Sequence, residues 1–141
     1  MSLNPYSLDQ IHLIATSMMV AIIWIVQILH YPTFLFIDRK QYTDFQQFHM
    51  KKISYIIIPI MAVELFSCLG ILFIIQKDQI SFYVSLALLI LIWMIKGLFF
   101  TKYHSDLSKK YNEETILQLI QFNWIRTLLW TIRLALLLKQ F

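Results

Sequence analysis

The sequence has very little cysteine, glycine or charge. One cysteine, Cys68, excludes an internal disulfide framework and a paired-cysteine redox motif. Two glycines, Gly70 and Gly97, are too few for GxxxG motifs to organise helix packing. Charged residues make up 14% of the 141 positions, against about 25% in soluble domains. These absences exclude a disulfide-stabilised scaffold and an ordinary soluble domain.

Hydrophobic residues are correspondingly frequent: they make up 59% of the chain, and the mean hydropathy is +0.65. This composition predicts an integral membrane protein, and the length predicts one domain. The net charge of +4 includes no basic run longer than two residues, so nucleic acid is excluded as a partner. We expect the lipid bilayer to be the chief partner.

Four apolar segments are long enough to cross a bilayer, which requires about 20 residues each. They predict an all-α, integral membrane four-helix bundle that forms a single four-span transmembrane domain over residues 1–141, with spans at about residues 10–31, 53–75, 80–100 and 115–138. No positive charge precedes the first segment, which is therefore predicted to be a retained helix and not a signal peptide. The amphipathic residues 34–52 are expected to lie along the membrane interface.

Basic residues are distributed unequally between the two ends of these segments. Seven lie in the two longer connections, after the first and third segments, and two lie on the opposite side. The positive-inside rule therefore places both longer connections in the cytoplasm and both termini outside. We expect a multi-pass protein of a bacterial cytoplasmic (inner) membrane.

The last segment carries two arginines, Arg126 and Arg133, although an arginine at the membrane centre costs about 2.5–3.5 kcal/mol. Arg126 and Glu64 each lie about 11 residues from the predicted cytoplasmic start of their spans, so we expect them to form a buried pair at the catalytic centre. The alternative is a structural pair that fixes helix register. Arg133, nearer the outer surface, is expected to extend to that surface.

Helical spacing places further polar and aromatic residues beside this pair. Asn123, Arg126, Thr127 and Trp130 share one stripe of the last segment. In the first segment Trp24, Gln27 and Tyr31 follow the same spacing, and Pro59 is expected to kink the second segment. We expect the site for a cofactor or ligand to be lined by Trp24, Gln27, Tyr31, Asn123 and Trp130.

Three histidines, His30, His49 and His104, lie near the predicted cytoplasmic end. Neutral imidazole binds metals and haem iron, so His30 and His104 are candidate ligands or proton carriers. No HxxxH or HxxEH spacing supports a metal site, and simple polar contacts at the interface are the alternative. The identity of any metal stays unknown, and haem is a possible cofactor.

Short motifs resemble the bacterial four-helix membrane protoporphyrinogen IX oxidases. The residues that carry the resemblance are Trp24 with Pro32, Pro59 with Met61, Lys96 ahead of Tyr103 and His104, and Asn112 with Glu113. The resemblance implies a shared four-helix plan. It places Ser17 where that family has a haem-ligand histidine, and His12 is five residues away, so it transfers neither the oxidase activity nor a haem site.

Three functional classes remain open from sequence. The first is an oxidoreductase-like protein that binds haem, porphyrin or another hydrophobic small molecule, with Arg126 anchoring a carboxylate such as a porphyrin propionate. The second is a non-enzymatic binding or assembly protein whose buried charges specify helix register. The third is a small transporter working as a homo-oligomer.

Overall fold

The fold consists of four long helices joined by short connections, and the computed structural model describes it for residues 5–75 and 79–139. The first, α1, covers residues 5–36: an α-helix (Pro5–Ile25), a π-helical turn (Val26–His30), an α-turn (Tyr31–Thr33) and a 3-10 turn (Phe34–Phe36). The described part of the chain contains no strand, so the predicted all-α class is confirmed.

The remaining helices are also long, and two contain π-helical turns. Helix α2 is an α-helix (Tyr42–Gly70) that ends in a π-turn (Ile71–Ile75). Helix α3 joins α-helices Ile80–Ile95 and Thr101–Leu107 through the π-turn Lys96–Phe100. Helix α4 spans Glu113–Leu138, and its first turn is capped by Asn112, whose Oδ1 accepts a hydrogen bond from the backbone N–H of Thr115 at 3.1 Å.

Three of these helices, at Ser7–Phe36, Tyr42–Ile75 and Ile80–Leu107, are long and apolar enough to cross a membrane. Their outward faces are hydrophobic: Leu29 and Phe66, for example, are 67% and 68% exposed. Polar side chains such as Glu64 and Arg133 are instead fully buried between the helices. This inverted distribution is typical of a protein in an apolar solvent, where the polar groups have to satisfy one another.

Packing between the helices is uneven. Helix α1 packs along both α2 and α4, and α3 packs along α4. Helix α2 comes closest to α3 near Thr101–Leu107, and beside this contact the two helices line a cleft. Towards their other ends Cys68 and Ile71 of α2 pack in one apolar cluster with Phe82 and Leu89 of α3. The cleft matters for the site because it gives access to the interior from the side.

The first connection differs from the sequence prediction. Residues 42–52 do not form a separate interfacial segment; they are the first three turns of α2, which continues through Pro59 to Gly70. The reason is burial: Tyr42 packs against Phe34 and Tyr111, with ring centroids 6.3 and 5.0 Å apart, which holds the start of α2 against the ends of α1 and α4. This end of the molecule, with residues 34–41 and 108–112, is called the histidine end below.

Candidate functional site

A buried ion pair joins α2 to α4, and its partners are Glu64 and Arg133. Thr16 Oγ1 donates to Glu64 Oε1 at 2.8 Å, and Trp130 Nε1 donates to Oε2 at 3.2 Å. Arg133 Nε donates to the backbone oxygen of Ser85 at 3.0 Å. All four helices therefore contribute to one carboxylate–guanidinium centre.

His12 and Ser67 complete what we call the Glu64–Arg133 network, together with Thr16, Ser85 and Trp130. Arg133 Nη2 lies 3.3 Å from His12 Nε2, and a guanidinium only donates, so this imidazole nitrogen accepts. The proton of His12 is then on Nδ1, which donates to Ser67 Oγ at 2.8 Å and to the backbone oxygen of Glu64 at 3.1 Å. The network is buried, and its charges are balanced internally.

The predicted pairing of Glu64 with Arg126 is wrong, and so is the prediction that Arg133 reaches the surface. Arg133 is 0% exposed and holds the carboxylate. The cause is the early start of α2: Glu64 lies 22 residues beyond Tyr42, which matches Arg133, 20 residues beyond Glu113. Arg126 lies only 13 residues beyond Glu113 and is closer to the histidine end.

The second polar centre is a cavity of about 210 Å³ near the histidine end, which we call the histidine cavity. Its polar lining consists of His30, Tyr31, His49, Ser54, Lys96, Thr101, His104 and Arg126. The apolar lining comes mainly from α2, with Ile53, Ile57 and Ile58. The cavity lies beside the cleft between α2 and α3, to which both helices contribute lining residues.

The three histidines are fixed by hydrogen bonds. His30 Nε2 lies 2.8 Å from His49 Nδ1. Gln46 Nε2 donates to His104 Nδ1 at 2.9 Å, and His104 Nε2 lies 3.1 Å from the hydroxyl of Tyr31. Because an amide NH₂ only donates, His104 carries its proton on Nε2 and donates it to the Tyr31 oxygen. The hydroxyl proton of Tyr31 is left for another acceptor.

Arg126 reaches the cavity from α4, and no carboxylate of the described residues forms an ion pair with it. Its Nη1 donates to Asn123 Oδ1 at 3.3 Å, and its guanidinium carbon lies 4.3 Å from the ring centroid of Phe100 and 5.2 Å from that of Trp130. The Arg126 side chain is buried, but its Nε has no hydrogen-bond partner.

Lys96 is a second cation on the same cavity. Its Nζ lies 3.5 Å from Met61 Sδ and 5.2 Å from the ring centroid of Trp93, so the ammonium group is turned inward. A thioether is a weak acceptor. Lys96, like Arg126, therefore has contacts with polarisable groups but no anionic partner among the residues that the structure describes.

Two of the three π-turns lie at this cavity. The turn Val26–His30 carries Val26 and His30, and Lys96–Phe100 carries Lys96 and Phe100, all four of which line the cavity. A π-turn inserts one residue into an α-helix and is frequently found at functional sites. Here each insertion changes which side chains face the interior.

The structure separates the residues that the sequence grouped into one site. His30, Tyr31, His104 and Arg126 line the histidine cavity, whereas Glu64 belongs to the Glu64–Arg133 network. The predicted stripe on α4 is confirmed, since Asn123, Arg126, Thr127 and Trp130 are all buried. Gln27, Asn123 and Trp130 were predicted to line the site, but they are not among the lining residues of the cavity. Gln27 Oε1 instead accepts from Asn123 Nδ2 at 2.9 Å, and Asn123 in turn holds Arg126.

Trp24 lies outside the cavity lining. Its indole N–H donates to Thr131 Oγ1 at 3.1 Å, and its ring packs edge-on against Trp124. The sequence assumed α-helical spacing from Trp24 to Tyr31, but the π-turn Val26–His30 intervenes and rotates the two residues onto different faces.

Gln46 and His49 are site residues that the sequence analysis did not place in the site. With Tyr42 they follow i, i+4, i+7 spacing and form the buried face of the first turns of α2. That periodicity was visible in the sequence, but it indicates a site only if residues 42–52 are helical and continuous with the second span.

The geometry does not fit haem or a metal ion. Both ring nitrogens of His104 are already hydrogen-bonded, and Nε2 of His30 is bonded to His49. The described residues include no group of three His, Cys, Asp or Glu side chains arranged to hold a metal ion. The cavity is also smaller than the roughly 300–1,000 Å³ of sites for drug-sized ligands.

Comparison with known proteins identified no relative of this chain. No family model, no curated protein and no solved structure matches the chain. The resemblance to protoporphyrinogen IX oxidases therefore stays a prediction from short motifs. The function has to be proposed from the two polar centres.

Proposed function

We propose that this protein is a four-span inner-membrane protein that binds a membrane-soluble small molecule, with the molecule's polar head in the histidine cavity. The observation that supports this most is the cavity itself: His30, Tyr31, His104 and Arg126 converge on a space bordered by apolar residues of α2. Convergent polar groups in an otherwise apolar pocket are typical of ligand sites. The size of the cavity suits a head group better than a whole porphyrin.

The proposed topology counts α4 as the fourth span and keeps both termini outside. Helix α4 is 26 residues long, and its buried face holds Arg126 and Arg133 away from lipid. The histidine end carries most of the basic residues, so it lies in the cytoplasm under the positive-inside rule. The cavity is then in the cytoplasmic half of the membrane.

The ligand enters sideways, through the cleft between α2 and α3. Ile58 is 52% exposed and Thr101 is also exposed, and both line the cavity. A hydrophobic tail leaving between these residues would stay in the bilayer while the head contacts the histidines. The protein therefore needs no opening to water for loading.

The chemistry available at the head group is proton exchange. Imidazole is the commonest general acid or base in proteins. His104 and Tyr31 are hydrogen-bonded to each other, and both line the cavity. This pair could therefore pass a proton to or from the head group of a bound ligand.

A lipid-soluble photoprobe tests the proposed binding. In proteoliposomes, diazirine-bearing hexadecanol and diazirine-bearing hexadecanoic acid are expected to label residues 53–58 and 100–104, and excess unlabelled compound should suppress the labelling. The readout is mass spectrometry of the labelled peptides. A bulky Ile57→Trp substitution should block the cavity and reduce labelling there, whereas Ile56→Trp on the outward face should not. Labelling that is unsaturable for both probes would contradict the proposal.

An absorption spectrum tests separately whether the protein binds haem. We expect the gently purified protein to show no Soret band, oxidised or dithionite-reduced, because both nitrogens of His104 already have partners. A Soret band that disappears in His104→Ala would contradict this and place haem at the histidine end.

The Glu64–Arg133 network supports a second, structural role. It links Thr16, Glu64, Ser85 and Arg133, one residue from each of the four helices. Buried ionic groups specify register when each polar atom has a fixed partner. We assign Glu64 to this role and not to catalysis, and the runner-up function, a non-enzymatic assembly protein, would rest on the same network.

A further inference from the structure

The histidine cavity holds two cations and no anion. Lys96 and Arg126 both line it, and no carboxylate of the described residues forms an ion pair with either. Glu64, the acidic residue buried in the helical interior, is already committed to Arg133. The cavity therefore has an unbalanced positive charge.

An unbalanced buried cation is costly in an apolar surrounding, and proteins normally pair it. Arg126 is supported by neutral groups: one oxygen of Asn123, the neighbouring hydroxyl of Tyr31 and the rings of Phe100 and Trp130. Ring faces attract the guanidinium, but they leave its in-plane N–H donors free. Nε of Arg126 is such a donor, buried and without a partner.

The other polar groups of the cavity can also donate hydrogen bonds to the acceptor that Arg126 lacks. The hydroxyl proton of Tyr31 is free to donate, because His104 already donates to the Tyr31 oxygen. Lys96 contributes an ammonium group whose present acceptor is the weak sulfur of Met61. Arginine, lysine and a phenol together provide donors to an oxyanion, and arginine binds carboxylate or phosphate with two parallel hydrogen bonds.

We propose that the ligand of the histidine cavity is an amphiphilic oxyanion, a carboxylate or phosphate on a hydrocarbon tail, whose head pairs with Arg126 and Lys96. The tail lies in the cleft beside Ile57 and Ile58. This inference rests on the proposed function and narrows its substrate class. The oxyanion supplies the counter-charge that the protein itself lacks at this position.

The test compares two probes that share a hydrocarbon tail and differ in the head group, which is an anionic carboxylate in one and a neutral hydroxyl in the other. Diazirine-bearing hexadecanoic acid, ionised in mildly alkaline buffer, is expected to half-saturate the cavity peptides at a concentration about 10- to 100-fold lower than the matching hexadecanol probe. This ratio corresponds to one or two charge-assisted hydrogen bonds. Arg126→Gln should abolish the preference for the acid, and Lys96→Gln should reduce it. Lys102→Gln, an exposed residue of the same helix, should leave it unchanged.

Each outcome bears on one claim. If both probes label saturably at equal concentrations, the oxyanion inference is wrong and the proposed binding function stands. If neither labels saturably, the proposed function itself fails. Competition by inorganic phosphate distinguishes a free oxyanion from one that is attached to a hydrocarbon tail. If phosphate displaces the acid probe at equal concentration, the cavity binds anions but does not require a tail. Should Arg126→Gln not fold, the wild-type probe ratio and Lys96→Gln still decide the question.

Discussion

Arg133→Met is expected to lower the free energy of unfolding by about 3–5 kcal/mol. The substitution leaves the Glu64 carboxylate buried with only the neutral donors of Thr16 and Trp130. It also removes the donor to the Ser85 carbonyl. Equilibrium unfolding in mixed detergent–SDS micelles, followed by circular dichroism, measures the loss.

The surface ion pair provides a matched control. Arg39 and Glu113 lie 3.4 Å apart with side chains 73% and 57% exposed. Because solvent screens such a pair, Arg39→Met should cost less than about 1 kcal/mol. Similar losses for Arg39→Met and Arg133→Met would show that the buried Glu64–Arg133 pair contributes no more to the free energy of unfolding than a surface pair does.

A double variant separates the lost pair from lost packing. Glu64→Gln together with Arg133→Met removes both charges and keeps an amide whose oxygen can accept from Trp130 while its NH₂ donates to the hydroxyl of Thr16. The free energy of unfolding should recover most of the loss, since an uncompensated charge no longer remains. A double variant as unstable as the sum of the two single variants would contradict the pairing.

The sequence predicted which residues of one helix share a face. It predicted less well which residues of different helices lie at the same depth in the bundle. Residues of one helix keep their relative positions under a 3.6-residue period, so the stripe of Asn123, Arg126, Thr127 and Trp130 could be predicted. The partner of Glu64 required the starting points of two different helices. Hydropathy marks where a helix becomes apolar, and α2 begins eleven residues earlier, at Tyr42.

The π-turns limited the prediction in a different way. They leave no compositional signal, yet the turns Val26–His30 and Lys96–Phe100 reorient the side chains of the cavity. For this reason Trp24 was assigned to the wrong face, while Tyr31, beyond the turn, was placed correctly at the site. Three of the residues around the cavity, Gln46, His49 and Lys96, became site residues only through the tertiary arrangement of α2 and α3.

Trp130 connects the two polar centres, and its replacement gives the second large expected effect. Its indole N–H donates to Glu64, and its ring face supports Arg126 at 5.2 Å. The side chain is fully buried. Trp130→Ala should therefore lower the free energy of unfolding by about 3–5 kcal/mol, and Trp130→Phe, which removes the hydrogen bond but keeps a ring, by about 1–3 kcal/mol.

Trp124 is the matched control for this series, because it lies on the same helix and is 42% exposed. Trp124→Ala should cost clearly less than Trp130→Ala in the same unfolding experiment. Trp130→Phe should also keep the preference of the cavity for the acid probe, since a phenyl ring still supports Arg126, whereas Trp130→Ala should weaken it. If Trp130→Ala lowered stability and left probe binding unchanged, the two centres would be independent, and the other contacts of Arg126, with Asn123 and Phe100 among them, would be enough to hold it.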